Sequence, residues 1–123
     1  MPDRSPGAPK LCGGAPVRIE RGSLAHSIYQ RDEVQEEYFC NYEVNPQYES
    51  RFQEGGLAIV ARGPQGEVRA VELPKRRFFL ATLFQPQLSS AAERPHPVVM
   101  AFLQAAARFQ KRTAEGRVLR AEV

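Results

Sequence analysis

Short blocks of alternating hydrophobic and polar residues run along most of the chain, a pattern typical of an α/β protein. Residues 17–20 alternate apolar and polar positions and predict a half-buried strand. Ser23 follows a glycine and predicts the N-cap of a short helix that runs through Tyr29. The aromatic, β-prone residues 38–44 predict the next strand.

The middle of the chain predicts a helix followed by a β-hairpin. Residues 46–53 begin with a proline and are followed by two glycines, which predicts a helix with a marked start and stop. Residues 57–61 predict a strand, and the Gly-Pro-Gln-Gly sequence at residues 63–66 predicts a tight turn after it. Residues 67–73 alternate strictly and predict the antiparallel return strand.

The last third of the chain predicts a buried strand and a covering helix. An unbroken apolar run at residues 78–84 is typical of a central strand, and Pro86 ends it. Residues 97–112 predict the last helix, with a proline in its first turn and basic residues in its last. We expect one apolar face of this helix to pack on the core. That face contains Val98 or Val99, Phe102, Ala105 or Ala106, and Phe109.

The two ends of the chain differ in composition from the middle. Residues 1–16 are rich in proline and glycine and predict a flexible leader. Residues 113–123 are polar and include a glycine, which predicts a tail that frays or ends in a short extended piece. Residues 17–112 lie between them in a chain of 123 residues that is 42% hydrophobic, which is enough for one modest core. The sequence therefore predicts a single domain.

Composition and charge exclude several classes of protein. A net charge of +3 is mildly basic and does not by itself favour a nucleic-acid partner. No apolar run is long enough to span a bilayer, and the first residues contain no signal-peptide core, so no membrane partner is predicted. Two cysteines, Cys12 and Cys40, do not make a disulfide scaffold, which favours a reducing cytoplasmic location. Residues 75–77 with Arg69 nearby predict either a phosphate site or a solvated loop, and the loop is the more common outcome.

Known catalytic motifs are missing from the sequence. No Gly-x-Ser-x-Gly nucleophile elbow occurs, and neither does a glycine-rich phosphate loop. The two histidines, His26 and His96, lack the spacing of metal ligands, so neither a metal nor a cofactor is predicted. His96 lies between two prolines, and we expect it to be a turn residue that fixes the start of the last helix.

Five ordered blocks nevertheless resemble one family. The blocks are Arg21-Gly22-Ser23-Leu24-Ala25, Asn41-Tyr42-Glu43-Val44-Asn45, the hairpin at residues 56–66, the strand pair Val71-Glu72-Leu73 and Phe78-Phe79-Leu80-Ala81-Thr82, and Arg94-Pro95-His96-Pro97. In this order they resemble the C-terminal half of the class I glutamine amidotransferase domain of CTP synthases. The chain is even more similar to short bacterial proteins that resemble the CTP synthase C-terminal region. The resemblance implies half of a flavodoxin-like, three-layer α/β domain.

The resemblance also implies what has changed at the active site. In that family a cysteine attacks the glutamine amide, a histidine acts as base, and a glutamate orients the histidine. The histidine and glutamate positions are Gln85 and Gln87 here, and the substrate-binding arginine is Asn41. Glutamine cannot accept the thiol proton, and the half that carries the nucleophile is not in this sequence. The resemblance therefore implies a degenerate protein, a pseudoenzyme with respect to ordinary glutamine hydrolysis, that is related by descent to pyrimidine nucleotide synthesis.

Three roles remain open for such a protein. Asn41, Tyr42 and Gln85 could form a pocket for a small amide or amino acid. Alternatively, Cys40 could be a working thiol of altered chemistry, with Arg31 as a cation that activates it, although a buried strand cysteine is the more common outcome. A structural or assembly module is the third role. Because half a domain would leave strand edges unpaired, we expect pairing with another copy or with a separate N-terminal half.

Overall fold

A five-stranded, fully antiparallel sheet forms the centre of the fold in this computed structural model, which describes residues 11–40 and 42–121. The strand order is β2-β1-β3-β4-β5. The strands are β1 (Leu11–Ile19), β2 (Glu33–Cys40), β3 (Ala58–Arg62), β4 (Val68–Glu72) and β5 (Leu80–Thr82). The helices are α1 (Leu24–Tyr29), α2 (Glu49–Glu54) and α3 (Pro97–Ala121), and two 3-10 helices cover Pro46–Tyr48 and Pro86–Ser89. The predicted α/β class is confirmed.

Strand β1 corrects the prediction of a flexible leader over residues 1–16. β1 begins at Leu11 and pairs with β2 over eight residues, from Leu11 opposite Cys40 to Arg18 opposite Glu33. Pro16 is tolerated because β3 pairs only with the last two residues of β1, so the proline removes no hydrogen bond on that side. Residues 1–10 of the predicted leader lie outside the described residues.

Strand β2 lies earlier in the chain than the predicted strand at residues 38–44. It ends at Cys40, and the chain leaves the sheet before Asn45 caps the first 3-10 helix by accepting a hydrogen bond from the Gln47 backbone N–H. The predicted helix at residues 46–53 is present as that 3-10 turn followed by α2, and the glycines after it end it as expected. Long-range pairing with β1 therefore sets the register of β2, which the local sequence could not specify.

The signals for α1 and for the hairpin are confirmed. The Ser23 hydroxyl accepts a hydrogen bond from the His26 backbone N–H and caps α1. The two oxygens of Glu72 accept the N–H groups of Leu24 and Ala25, so a buried carboxylate also satisfies the start of this helix. Strands β3 and β4 pair through the predicted turn at residues 63–66, with a bulge in β3. The Ser23 cap and the turn at residues 63–66 depend on neighbours in sequence, which explains why they could be predicted.

Strand β5 is shorter and less buried than the apolar run at residues 78–84 predicts. It contains three residues and lies at the edge of the sheet, and the Phe79 side chain before it is 40% exposed. After β5 the chain turns back across the sheet, because Leu83 N–H donates to Arg69 O and Gln85 N–H donates to Glu37 O. The sheet is therefore curled, with the end of β5 brought to β2. The prediction of a central strand is wrong because only β4 pairs with β5 among the described strands.

Helix α3 is longer than predicted, and its apolar face is not in the core. The backbone is helical to Ala121. The prediction of a frayed or extended tail is therefore wrong over residues 113–121, the described part of that segment. Val98 is buried, but Phe102 and Phe109 are 55% and 52% exposed. The first turns of α3 pack on α1 and on the second 3-10 helix rather than on the sheet. The core instead lies between the sheet and α1 and contains Val17, Ile19, Ala25, Tyr38, Val60, Ala61, Ala70 and Phe84.

Candidate functional site

Gln85 lies at the position that the family resemblance gives to the catalytic histidine, and it is bound to β2 by two hydrogen bonds. Its backbone N–H donates to Glu37 O at 2.9 Å, and its side-chain Nε2 donates to Phe39 O at 2.8 Å. The side-chain Oε1 is buried and has no hydrogen-bond partner among the described residues. Gln87 is exposed in the second 3-10 helix. The curl of the sheet therefore holds the Gln85 amide in place, and Gln87 does not support it.

Cys40 ends β2 next to the carbonyl that Gln85 binds. Its Sγ donates to Tyr42 O at 3.2 Å, and the thiol is free and half-buried. The structure thus brings Cys40, Tyr42 and Gln85 to one end of the sheet. Asn41, the third predicted ligand residue, lies outside the described residues.

Arg31 does not belong to this end of the molecule. It precedes β2, whose eight residues span ~25 Å, so Arg31 and Cys40 lie at opposite ends of the strand. The Arg31 guanidinium is therefore too far from Cys40 to activate its thiol.

Neither histidine of the chain pairs with Cys40 or Gln85. His26 Nε2 lies 2.9 Å from Asp32 Oδ1, and Asp32 also accepts two hydrogen bonds from Arg21. These contacts, the Arg21 hydrogen bond first, lower the pKa of Asp32. His96 Nε2 lies 2.6 Å from Glu36 Oε1. Because the sequence contains only these two histidines, the strand-end site has no imidazole in place of the one that the family uses.

A buried cluster of Tyr29, Glu36 and His96 is a feature that the sequence did not reveal. Glu36 is 2% exposed, and its Oε1 accepts hydrogen bonds from the Tyr29 hydroxyl and from His96 Nε2, both at 2.6 Å. His96 Nδ1 accepts the Val98 backbone N–H at 3.0 Å, so this side chain also caps α3, in agreement with its predicted role at the start of the helix. The one available signal was that Glu36 shares its strand face with Val34 and Tyr38.

Arg69 corrects the interpretation of the basic segment. Its side chain is only 5% exposed, and Nη2 donates to Glu43 Oε1 and Glu67 Oε2, both at 3.0 Å. The guanidinium also lies over the Tyr38 ring, 5.2 Å from its centroid. Arg69 is therefore part of the interior. The exposed basic residues of this region are those at positions 75–77.

Tyr38 predicts a specific loss of stability at alkaline pH. Burial, as the largest cause, raises the pKa of Tyr38 to about 12, and burial with the Glu36 hydrogen bond raises the pKa of Tyr29. In the unfolded chain a tyrosine has a pKa of ~10. Because the pKa is higher in the folded chain, the protonated hydroxyl stabilises the native state, and this contribution is complete below pH ~10. This contribution is lost as pH rises from ~10 towards 12, where the folded group ionises.

Urea unfolding at a series of alkaline pH values measures this loss. We expect the free energy of unfolding to fall more steeply above pH ~10 in the wild type than in Tyr38→Phe. Tyr48→Phe is the matched control, because Tyr48 is exposed. If the free energy of unfolding fell equally steeply with pH in the wild type and in Tyr38→Phe, the pKa of Tyr38 would not be raised in the folded chain.

Two other kinds of site can be assessed over the described part of the chain. No group of three or more His, Cys, Asp or Glu side chains there could hold a metal ion. None of the described helices is both long and apolar enough to cross a membrane.

An apolar cavity of about 180 Å³ lies between α2 and the β4–β5 pair, lined by residues that include Val44, Phe52 and Leu83.

Comparisons with known proteins give one consistent result. No protein-family model matches the chain. The CTP synthase of Chlamydia trachomatis serovar L2 is 43% identical over 95 residues, which are 76% of this chain and 18% of that protein. The enzyme of Aeropyrum pernix is 43% identical over 100 residues, and that of Pyrococcus furiosus is 36% identical over 111 residues. The chain thus spans about a fifth of the length of the curated relatives it matches.

A solved structure is similar over most of the described fold. It is the glutaminase domain of Trypanosoma brucei CTPS with bound acivicin, with a TM-score of 0.77 and 36% sequence identity. The match covers 82% of this chain and 41% of that chain. Sequence and fold therefore point to the same domain of CTP synthases.

Proposed function

Because this chain is part of a class I glutamine amidotransferase fold and matches the glutaminase domain of CTP synthases, we propose that it binds a partner chain and does not hydrolyse glutamine. The observation that carries the proposal is an exposed apolar surface on α3. This surface, the α3 apolar face, consists of Phe102 and Phe109, which are seven residues apart on the helix and therefore lie on the same side of it. Large exposed apolar patches are typical of protein–protein contacts.

The charges around this face indicate what kind of partner fits it. Arg77 lies over the Phe109 ring at 4.5 Å, and Arg77, Arg108 and Arg112 line a shallow pocket beside that ring. A second copy of this chain would bring the same positive charges together, which disfavours self-association through this face. The proposed partner is therefore a different protein, whose apolar contact surface is bordered by acidic residues.

The strand-end site supports the absence of glutaminase activity. Gln85 replaces a base by a neutral amide that already donates to a backbone carbonyl, and both histidines are engaged elsewhere. Without a group that accepts the thiol proton, Cys40 cannot follow the family's mechanism. The purified full chain should release no ammonia from glutamine above the rate in buffer.

The partner proposal is tested with two substitutions on α3. A partner recovered with the tagged chain from cells is purified, and its affinity for the wild type is measured. Phe102→Asp should weaken the complex about tenfold or more, whereas Gln104→Asp, also exposed on α3, should change it by less than about threefold. Added salt should weaken binding as well, because the border of the face is basic.

Three outcomes would contradict the proposal. One is a purified chain that dimerises through the α3 apolar face, as sedimentation with Phe102→Asp would show. Another is a partner whose affinity is unchanged by Phe102→Asp. The third is alkylation of Cys40 by iodoacetamide at neutral pH much faster than that of the exposed Cys12, which would support thiol chemistry instead.

A further inference from the structure

A strongly basic segment surrounds a pocket far from the strand-end residues. Residues 73–112 contain seven of the 17 lysine and arginine residues of the chain but only one of its 14 acidic residues, Glu93. A shallow pocket of about 270 Å³, the arginine pocket, lies within this segment. Its lining consists of Arg77, Ala105, Arg108, Phe109 and Arg112. Three of these side chains carry a guanidinium group, and none is acidic.

The arginine pocket forms where the segment before β5 packs against α3. Arg77 lies over the Phe109 ring, with its guanidinium carbon 4.5 Å from the ring centroid. The next residue, Phe78, contacts the Phe102 ring edge to face, with the ring centroids 5.8 Å apart. Two successive residues are therefore held against two turns of α3. The Phe109 ring thus orients the Arg77 guanidinium before any ligand arrives.

The other two arginines of the pocket come from one face of α3. Arg108 and Arg112 lie four residues apart, so their side chains are neighbours on the helix surface, where like charges destabilise a helix. All three arginines are exposed and form no ion pair with the side chains that the structure describes. Because arginine keeps its charge in proteins, the pocket concentrates positive charge that no described side chain balances.

We propose that the arginine pocket binds a small molecule that contains two or more linked phosphate groups. A guanidinium group matches phosphate oxygens with two parallel N–H donors, and three such groups around one pocket can contact more than one phosphate. A single carboxylate has one negative charge and two oxygens, so it would leave most of these donors unused. Ala105 contributes only a methyl group to the lining, which leaves room for the ligand beside the arginines.

This site differs from the phosphate site that the sequence left open for residues 75–77 with Arg69. Only Arg77 of that group lines the pocket, and the arginines beside it come from α3. The pocket shares Phe109 with the α3 apolar face, so a bound phosphate compound would compete with an acidic partner for the same arginines. The inference does not rest on the partner proposal, because binding is measured on the chain alone.

Calorimetric titration of the full chain with tripolyphosphate, which contains three linked phosphates, tests the proposal. A constant ionic strength of about 0.1 M keeps the screening of charges equal between probes. We expect saturable binding with a Kd on the order of 0.1 mM or tighter. Citrate, with three carboxylates, and phenyl phosphate, with a single phosphate, should each bind at least about tenfold more weakly.

Exposed positions allow matched variants that remove one positive charge each. Arg108→Gln and Arg112→Gln should each weaken tripolyphosphate binding about tenfold or more, since each removes a pair of donors from the pocket. Arg76→Gln and Lys111→Gln lie outside the lining and should change the affinity by less than about threefold. Glutamine and arginine have similar helix propensities, so α3 should remain intact in these variants.

A conservative variant separates recognition by the guanidinium from attraction by charge alone. Arg108→Lys keeps the positive charge but loses the two parallel N–H donors, so it should still weaken tripolyphosphate binding about threefold or more. An affinity equal to that of the wild type would contradict the assigned contact.

The proposal is overturned if tripolyphosphate does not saturate the chain at concentrations on the order of 10 mM. Equal affinity for citrate would show that any anion of high charge is attracted. Equal affinity for phenyl phosphate would show a site for a single phosphate group, such as that of a phosphorylated side chain. Either result rules out a site for linked phosphates. Equal losses in Lys111→Gln and Arg108→Gln would rule it out too, because binding would then depend on a diffuse basic surface.

Discussion

Replacing Arg69 by alanine should destabilise the protein by about 3–5 kcal/mol, the largest effect expected of any single change. The substitution removes the cation between Glu43 and Glu67, whose side chains are only about a fifth exposed. It also removes the group that covers the Tyr38 ring in the core. Two partly buried carboxylates then face each other without a positive charge. Chemical denaturation of the folded chain measures the loss.

Two further variants distinguish this explanation from a general loss of packing. Arg62→Ala removes a comparable ion pair, with Glu49, on the neighbouring strand, but that arginine is 40% exposed, so the loss should stay within about 1 kcal/mol. Adding Glu43→Gln and Glu67→Gln to Arg69→Ala should recover part of the stability, because the unpaired charges are gone. If Arg69→Ala cost no more than Arg62→Ala, the buried ion pairs would not stabilise this fold.

His96→Ala should cost about 2–4 kcal/mol. Three contributions are lost together: the hydrogen bond to the buried Glu36, the cap on the Val98 N–H at the start of α3, and the edge-to-face contact with Tyr29. Glu36 would retain only the Tyr29 hydroxyl as a donor. Thermal or urea unfolding monitored by helix content would report the change, because α3 begins at this side chain.

The other histidine provides the matched control. His26 pairs with Asp32 at the surface, where Asp32 keeps its Arg21 contacts, so His26→Ala should cost less than about 1 kcal/mol. His96→Asn can still accept the Val98 N–H and should be less destabilising than His96→Ala. Equal losses in His26→Ala and His96→Ala would show that the buried cluster contributes nothing beyond an ordinary surface contact.

Elements that depend on local signals could be predicted from the sequence. Ser23 before α1, and the Gly-Pro-Gln-Gly turn between β3 and β4, each fix the backbone through nearby residues. β1 and β5 could not be predicted in the same way. The first is a strand because β2 pairs with it, and the second lies at an edge although its sequence is apolar throughout. The exposed face of α3 follows the same rule, since periodicity shows that a face is apolar but not what covers it.

The charged interior marks the limit of sequence reasoning about the site. Gln85 and Cys40 lie at one end of the sheet. Arg69 was predicted as part of a surface basic segment, because sequence alone does not show that Glu43 comes from a distant segment to neutralise it. Glu36 and His96 are separated by sixty residues, so their contact becomes visible only in three dimensions.

The curl of the sheet has a consequence for the order in which the molecule folds. The β3–β4 hairpin joins neighbours in sequence and can form early, since short loops close quickly. The bond from Gln85 to Glu37 joins β2 to the end of β5, so it closes only after the intervening strands are in place. We therefore expect Cys40 and Gln85 to come together late in folding. In hydrogen exchange the Gln85 amide should report closure of the whole sheet, whereas the hairpin amides report a smaller unit.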